Sequence, residues 1–365
     1  MVEQARRQNA IADAVGSDEK DLHARPAAPG RGTSSLTMRA AFLTSKGSMG
    51  QNFPRVMEEM SSVQTDPWSR VAVITVTHNS AALIEECMAS VGQAAQIIVI
   101  DNASDDGTSR LVRGAVARAD VTENPANRGF GTGCNQAFEK VEVEFAFLMG
   151  PDSTVDDASL AALVDAADRW PEAGLLGPAI IAPDGHVELS HDLGLFKRIN
   201  AGKRLDRHII PEGPLCADHL SGAVLLARMS AVRQVGGFDP NIFLYYEDDD
   251  LCMRMRNAGY SLILVPQARA THIGGGSSRP GLGVHWRKFW HMAWSRLYIE
   301  AKYHGRDAAF GVAARHALKF LGKAVGHMVT FNWRKGVRDA ARFAGTMAWL
   351  LGIKAMPHAS SPRGR

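Results

Sequence analysis

The first half of the chain alternates short apolar runs with longer segments of mixed polarity. Buried strands are predicted at three apolar runs, Val71–Val76, Ile97–Ile100 and Phe145–Met149. Helices are predicted from Ser80 to about Gly92, from Ser104 or Asp105 to about Arg118, and from about Asp156 to Trp170. Strands and helices that alternate in this way predict an α/β protein with a doubly wound, mainly parallel sheet.

From about Leu175 this regular alternation gives way to short apolar runs, Gly and Pro turns, and a glycine-rich segment at Gly274–Ser278. No linker-like composition separates this part of the chain from the strands that precede it. Residues 70–284 are therefore predicted to form one domain, in which the second half completes the sheet and contributes the site for a second substrate.

The two ends of the chain differ from this domain. Residues 1–68 mix Pro, Gly, Ser and Thr without a sustained period, which predicts a disordered arm or a start assigned too far upstream. Residues 285–365 predict a helical extension with an apolar stripe of helical period. The stripe consists of Phe310, Ala314, Ala317, Leu318, Leu321, Val325 and Met328, and Arg315, Lys319 and Lys323 flank it.

Charge is distributed unevenly along the chain. Residues 70–284 contain 18 basic and 27 acidic side chains, whereas residues 285–365 contain 15 basic and 3 acidic ones. The basic helices favour contact with an anionic membrane surface, and the alternative is a helix that packs on the domain with its charges in water. Nucleic-acid binding is not expected, because this segment lacks the interleaved aromatic residues of a known nucleic-acid-binding module.

Several classes of protein are excluded by motifs that the sequence lacks. The four cysteines form no CxxC pair, which argues against a zinc ribbon or a disulfide scaffold and fits a reducing cytoplasm. No signal-peptide pattern and no apolar run of about 18 residues is found, so neither secretion nor a membrane-spanning helix is expected. Walker A and HExxH motifs are also absent from the sequence.

Polar residues follow two of the predicted strands. Thr77, His78 and Asn79 come after the first strand, and Asp101–Ser104 comes after the second. Ligands of doubly wound sheets bind at the carboxyl ends of the strands, where short polar side chains and free backbone donors suit a base and a ribose. Capping turns that bind no ligand are the alternative interpretation.

The segment Asn127–Asn135 has glycine at alternate positions, namely Gly129, Gly131 and Gly133. Glycines allow a ligand to approach the backbone closely, and a following helix would offer unpaired amides to a phosphate. The segment is not GxGxxG and follows no clear strand, so a dinucleotide-binding interpretation is weak and a flexible turn is the alternative.

Acidic residues and one histidine are candidates for metal binding and proton transfer. Asp152 follows a strand and could hold a divalent cation beside a diphosphate, or could simply initiate a helix. Glu247–Asp250 is a run of four acids, in which like charges raise the pKa of one member until it can accept a proton near neutral pH. An acidic helix start is the alternative. His272 could be a further metal ligand or an ordinary surface residue.

Taken together, six segments in this order and spacing resemble the family 2 glycosyltransferases with the GT-A fold, and within them the rhamnosyltransferase-like group. The resemblance covers about residues 71–300. The segments are Val76–Asn79, Asp101–Ser104, Asn127–Asn135, Gly150–Asp152, Leu220–Asp239 and Tyr246–Ser278. It implies an inverting, metal-dependent transfer of a sugar, with dTDP-rhamnose as the expected donor.

The resemblance also implies a role for individual residues. Binding of the nucleotide sugar is implied for Thr77, His78, Asn79, Asp101, Asn102, Ser104, Asn127, Gly129, Gly131, Asn135 and Asp152. Mg²⁺ or Mn²⁺ would be bound by Asp152 and His272. Asp248 would be the catalytic base with Glu247 beside it, and Leu220, Ser221 and Gly222 would line the acceptor side. His78 stands where the family usually has an aromatic residue, and Gly150 where it usually has Asn, so base stacking and the detail of the metal motif differ here.

Such enzymes commonly act on a lipid-linked or glycan acceptor in cell-surface polysaccharide synthesis, at the cytoplasmic face of the membrane. The resemblance therefore implies a cytoplasmic protein that is peripheral on the inner face of the cell membrane. Three alternatives remain open from sequence. They are a UDP-sugar donor (galactofuranosyl or N-acetylhexosaminyl), a non-catalytic protein of the same fold that binds a nucleotide sugar or a glycan, and a sugar-1-phosphate nucleotidyltransferase.

Overall fold

Parallel strands form the first half of a nine-stranded sheet in the computed structural model, which describes residues 66–201, 210–273 and 281–355. The strands are β1 (Val71–Thr77), β2 (Gln96–Asp101), β3 (Asp120–Glu123) and β4 (Phe145–Met149), in the order β3-β2-β1-β4. Every residue of β1 and β4 is buried, as expected for strands that helices cover on both faces.

The helices that connect these strands lie on both faces of the sheet. They are α1 (Ile84–Ser90), α2 (Thr108–Ala115), α3 (Phe130–Phe138) and α4 (Asp157–Arg169). Helix α4 begins where predicted, because the carboxylate of Asp156 accepts a hydrogen bond from the Ser159 amide at 2.7 Å. Helices α1 and α2 begin about four residues later than predicted, because the residues before them form loops at the carboxyl edge of the sheet.

The second half of the sheet is mixed. Its strands are β5 (Ser153–Val155), β6 (Ala173–Ile181), β8 (Leu215–Cys216), β10 (Val224–Arg228) and β11 (Ser261–His272). Strand β10 runs antiparallel between β4 and β6, so the sheet is not parallel throughout. The remaining elements of this half are the strand pair β7 (His191–Asp192) and β9 (His219–Leu220), and helices α5 (Leu195–Ala201), α6 (Met229–Val235) and α7 (Glu247–Asn257).

Apolar side chains fill the space between the sheet and its helices on either face. Phe145 and Phe147 point to one face and pack among α1 and α4, while Ile74 and Leu148 point to the other and pack among α3, α6 and α7. Each fully buried large side chain contributes roughly 1.5–3 kcal/mol. The doubly wound core predicted from the strand pattern is therefore present, and it fixes the carboxyl edge of the sheet.

Three long helices follow the sheet, namely α8 (Leu282–His304), α9 (Arg306–Val329) and α10 (Trp333–Leu350). They pack on one another, and α8 is tied to the rest of the protein by side-chain hydrogen bonds. The hydroxyl of Ser295 donates to the carbonyl of Leu244 at 3.0 Å, and that of Tyr303 donates to Asp250 at 2.9 Å. None of the helices in the described ranges combines the length and apolar character needed to cross a bilayer.

The predicted N-terminal arm lies almost wholly outside the described residues. The described chain begins at Asp66, a few residues before the predicted first strand. Trp68 is buried in the core, and its indole N–H donates to Asp157 at 2.9 Å. Ordered packing therefore starts just inside the segment that was predicted to be unstructured.

Candidate active site

A cleft of about 370 Å³ opens at the carboxyl edge of the parallel strands. Eight of the residues predicted from sequence to bind donor, acceptor or metal line it. They are Thr77, His78, Asn102, Asn127, Gly129, Asp152, Gly222 and His272. The remaining lining residues are Val76, Ser80, Phe130, Gly150, Pro151, Ala223, Phe243 and Leu244. The cleft thus joins residues that lie almost 200 positions apart in sequence.

The first wall of the cleft consists of the ends of β1 and β2. His78 Nδ1 lies 2.8 Å from the carbonyl oxygen of Asn102, and because a carbonyl only accepts, Nδ1 carries the hydrogen. In the neutral ring Nε2 is then a hydrogen-bond acceptor. The wall can therefore accept a hydrogen bond from a base that enters the cleft.

Three of the predicted nucleotide-binding residues shape this wall rather than line the cleft. Asp101 is buried and accepts hydrogen bonds from the hydroxyls of Thr77 and Ser104, each at 2.6 Å. Ser104 in turn accepts a hydrogen bond from the amide of Asn79, whose φ of 55° is left-handed. These bonds hold the two strand-end loops against each other.

Asn102 connects the same wall to the glycine segment. Its amide group donates to the carbonyl of Gly129 at 3.1 Å, and its side-chain oxygen accepts from Asn124 at 2.9 Å. Gly129 has a φ of 86°, and a Cβ there would collide with the backbone carbonyl of Phe243, so only glycine fits. Asn127 accepts a hydrogen bond from the Gly129 amide at 2.9 Å, which fixes the turn that enters α3.

The other predicted residues of this segment do not reach the cleft. A Cβ at Gly131 would lie 2.9 Å from Cβ of Phe238, so this glycine allows α3 to pack closely on the core. The side chain of Asn135 bonds to both the amide and the carbonyl of Phe238, each at 2.8 Å. The segment does follow a strand, β3, contrary to the expectation from sequence, and Phe130 at the amino end of α3 lines the cleft.

Asp152 and His272 lie together at the far end of the cleft. The register of β11 on β5 sets His272 opposite Ser153, and His272 Nε2 lies 3.6 Å from Asp152 Oδ1. The other ring nitrogen, Nδ1, is 2.7 Å from the carboxylate of Glu188, so it carries a hydrogen and Nε2 is left as the atom facing Asp152. Two residues separated by 120 positions therefore form one polar pair.

This pair fits a divalent cation that a substrate helps to hold. Within residues 66–201, 210–273 and 281–355, no three His, Cys, Asp or Glu side chains are grouped as a metal site. Asp152 and His272 would supply two donors, and phosphate oxygens and water the rest, as is usual for Mg²⁺ sites. Glu188 orients the ring of His272, which is the common arrangement around a metal-binding histidine.

Two of the four consecutive acids, at the start of α7, are neutralised by cations. Asp250 is fully buried, and its carboxylate lies 2.7 Å from both Arg254 and Lys302. Asp249 accepts a hydrogen bond from Arg198 of α5 at 2.6 Å. Burial raises the pKa of Asp249 to about 6, although His219 and Arg198 oppose the shift. These two acids therefore anchor the helix.

The other two acids differ from this pair and from each other. Asp248 is 29% exposed, and its Oδ2 accepts a hydrogen bond of 3.3 Å from the amide of Gly222, a residue that lines the cleft. Glu247 is buried, and its Oε2 has no hydrogen-bond partner among the described residues. Burial, and then the charge of Asp248, raise the pKa of Glu247 to about 8. Asp248 is thus the acid of this pair that borders the cleft.

One of the three predicted acceptor-side residues borders the cleft, and the other two do not. Gly222 lines the cleft, and a Cβ there would stand 3.2 Å from Cβ of Asp248, so the absence of a side chain lets the acid approach. Leu220 is fully buried in the core, and the amide of Ser221 donates to the carbonyl of Ser190 at 2.9 Å. Only Gly222 of the three reaches the cleft.

Phe243, Leu244 and Glu188 are among the residues of the site that were not predicted from sequence. Phe243 and Leu244 line the cleft. Their position just before the acidic run was the one sequence feature that could have indicated this. Glu188 carries no local signal, because only the folded chain brings it to His272.

Comparison with known proteins connects this site to a family. The family model described as "Glycosyl transferase family 2" matches residues 72–223. The N-acetylglucosaminyl-diphospho-decaprenol L-rhamnosyltransferase of Mycobacterium tuberculosis is 33% identical over 301 residues, which span 74% of this chain and 88% of the relative. The chain belongs to the family 2 glycosyltransferases. It is a glycosyltransferase enzyme of the rhamnosyltransferase-like group, and the predicted family and the GT-A fold class are confirmed.

Further similarities cover smaller parts of this glycosyltransferase or are more remote. Rhamnosyltransferase WbbL of Escherichia coli is 35% identical over 85 residues, which are 23% of this chain and 31% of the relative. A solved mannosyltransferase of Pyrobaculum calidifontis in complex with GDP-Man and Mn²⁺ has a TM-score of 0.47 and 18% identity, and the match covers 79% of this chain and 89% of that one.

Replacing Glu247 with Gln tests the buried carboxyl through the pH dependence of stability. Between about pH 5 and pH 8 the folded protein keeps the proton of Glu247 whereas the unfolded chain releases it, so this residue destabilises the fold increasingly as the pH rises. The free energy of unfolding of E247Q relative to wild type should increase by on the order of 3 kcal/mol between pH 4.5 and pH 8.5. Urea unfolding at both pH values measures it.

The exposed acid Glu172 provides the control, and E172Q should follow the wild-type pH dependence. Parallel curves for E247Q and wild type would show that Glu247 is ionised in the folded protein.

Proposed function

We propose that this glycosyltransferase moves a sugar, with rhamnose from dTDP-rhamnose as the first candidate, onto a lipid-linked or polysaccharide acceptor, with inversion at the anomeric carbon. One observation carries the proposal. The Asp152–His272 pair and Asp248, through its bond to Gly222, border the same cleft. A group that can neutralise a leaving diphosphate and a group that can accept a proton are the two requirements of direct displacement at a sugar carbon.

The nucleoside is proposed to lie against the ends of β1 and β2. Nε2 of His78 is an acceptor there, and the N3–H of thymine or uracil is a matching donor. Because both bases carry this group, a UDP-sugar donor is the alternative within the same reaction class. The Mycobacterium tuberculosis relative is named as an L-rhamnosyltransferase, which favours the rhamnosyl donor.

Asp152 and His272 are proposed to hold Mg²⁺ or Mn²⁺ against the diphosphate of the donor. The cation would stabilise the negative charge that the nucleoside diphosphate gains as it leaves. Glu188 keeps the ring of His272 in the orientation that presents Nε2 to the cleft.

Asp248 is proposed to be the general base. Its carboxylate accepts the proton of the acceptor hydroxyl while the oxygen attacks the anomeric carbon, and the bond to the diphosphate breaks on the opposite face. A positioned base contributes typically 10²–10⁴-fold to the rate. Glu247 beside it retains its own proton near neutral pH, so it adds no second negative charge next to the base.

The acceptor is proposed to be presented at a membrane surface, on its cytoplasmic face. The relative from Mycobacterium tuberculosis is named for a decaprenol-linked acceptor. The apolar stripe predicted on α9 is exposed in the structure, with Leu318 at 77% and Val325 at 55%. Exposed aliphatic side chains flanked by lysines suit an interface of anionic lipids, where each nearby cation contributes about 1 kcal/mol. The helix therefore has a surface that can bind the membrane without crossing it.

The variant D248N tests the base. Its amide cannot accept the hydroxyl proton, so turnover should fall by at least about 10²-fold while binding of dTDP-rhamnose stays within about twofold of wild type. Release of dTDP in the presence of membranes measures turnover, and calorimetry measures donor binding. The exposed acid of α9 offers a matched control, D307N, which should keep full activity. Turnover in D248N comparable to wild type would remove Asp248 from the mechanism.

The variants D152N and H272A test the cation site without requiring turnover. Titration of dTDP into the protein by calorimetry, with and without MnCl₂, should show that Mn²⁺ tightens binding to wild type. Both variants should lose at least about tenfold of that gain, and E188Q a smaller part of it. The exposed acid Glu142 supplies the control E142Q. An unchanged Mn²⁺ effect in D152N and H272A would exclude this site.

The triple variant L318S/L321S/V325S tests the membrane surface. Wild type should sediment with vesicles that contain phosphatidylglycerol and much less with pure phosphatidylcholine, because both apolar burial and cationic attraction contribute. The triple variant should lose most of this binding. I199S, at an exposed aliphatic residue of α5, should not. Equal sedimentation of the triple variant and wild type would show that α9 does not bind the bilayer.

A further inference from the structure

His219 is a buried histidine beside the acidic start of α7, and it has no role in the proposed reaction as described above. It lies on β9, three residues before Gly222, and only 5% of it is exposed. Its Nδ1 lies 3.4 Å from Oδ1 of Asp249, and its Nε2 lies 3.8 Å from Oδ2 of Asp248. The ring therefore stands between the anchoring acid and the acid that borders the cleft.

The surroundings of this ring are acidic. A ring nitrogen that faces a carboxylate contributes attraction only when it carries a hydrogen, and both nitrogens of His219 face carboxylates. Asp192 is paired with His219 across the β7–β9 strand pair, so a third carboxylate lies nearby. Arg198 contacts Asp192 and Asp249 and supplies one positive charge to these three acids. A second positive charge, on His219, would bring the buried cluster closer to neutrality.

We propose that His219 is a positioning residue that, as an imidazolium, keeps the carboxylate of Asp248 ionised and turned toward the cleft. This inference rests on the proposed role of Asp248 as the base. At 3.8 Å the contact is electrostatic rather than a hydrogen bond, and an opposite charge at this distance favours the ionised form of a carboxylate. The amides of Gly222 and Asp249 hold the two oxygens of Asp248, and His219 supplies the charge that they lack.

The position of His219 lets it act on Asp248 without contacting the rest of the cleft. It does not line the cleft. Its proposed effect on the reaction therefore passes through Asp248. The ionisable groups near His219 or the Asp248–Asp249 pair include His191 and Asp192 of β7, Arg198 of α5, Tyr246 just before α7, and Glu247 and Cys252 of α7 itself.

The experiment compares the pH dependence of kcat/KM for wild type, H219Q and H191Q. Gln is neutral and similar in size, so H219Q removes the charge beside Asp248. The acidic limb of its pH profile should move to higher pH by about one unit. At pH values below the limb, this shift lowers kcat/KM about tenfold. The plateau at high pH should be largely kept. H191Q alters the neighbouring histidine of β7 and should leave the limb in place.

A histidine that served only the packing of the fold would lower the plateau or the stability and leave the limb where it is. That result, in a folded H219Q, would overturn the inference. If H219Q does not fold, the variants H219N and H219K are compared instead. The first lacks the charge and should shift the limb, whereas the second keeps the charge and should not.

A second measurement examines the ring directly. In ¹⁵N-histidine spectra of wild type, the signals that disappear in the His219 variant should show both nitrogens protonated at the pH of full activity, and a neutral ring would contradict the proposal. D248N separates this inference from the proposed function. If D248N remains active, the base itself is wrong. If D248N is inactive and the limb of H219Q does not move, only the role of His219 fails.

Discussion

Charge compensation at the start of α7 is the interaction on which the rest of the site depends. Four adjacent carboxylates can enter a folded interior only if cations or protons balance them. Arg198, Arg254 and Lys302 come from three different helices and balance two of the four acids. Removing one partner from a buried ion pair typically costs about 3–5 kcal/mol, so these contacts hold the helix start in one position. Asp248 borders the cleft because its neighbours are fixed in this way.

Helix α8 of the C-terminal segment therefore helps to position the candidate site. Lys302 and Tyr303 of α8 both bind the buried carboxylate of Asp250. The same helix packs beside Leu244, which lines the cleft, through the hydroxyl of Ser295. A bilayer contact on α9 and an acid at the cleft would thus be connected by packed helices. Such a connection would set the distance between a membrane-held acceptor and Asp248, the proposed base.

Elements whose signal is local were predictable from sequence, whereas elements that need a distant partner were not. The apolar run Phe145–Met149 forms a strand at the predicted residues, and all five of them are buried. Five successive apolar residues are a local signal of a buried strand, whichever strands lie beside it. Strand β3 was missed because three of its four residues, Asp120–Glu123, are polar and all four are at most partly buried. The insertion of β10 between β4 and β6 was also missed, since an antiparallel pairing across about 75 residues leaves no trace in the local pattern.

The same distinction explains the candidate site. Gly129 and Gly131 look alike in sequence, but one borders the cleft while the other packs on Phe238, and only the direction of α3 separates them. Likewise, the acids of α7 are chemically similar, and their different environments follow from which cations reach them. Residue type and spacing therefore identified the motifs, but the role of each residue depends on burial and on partners supplied by other elements. His219 shows this most clearly, because its significance comes entirely from the two carboxylates on either side of its ring.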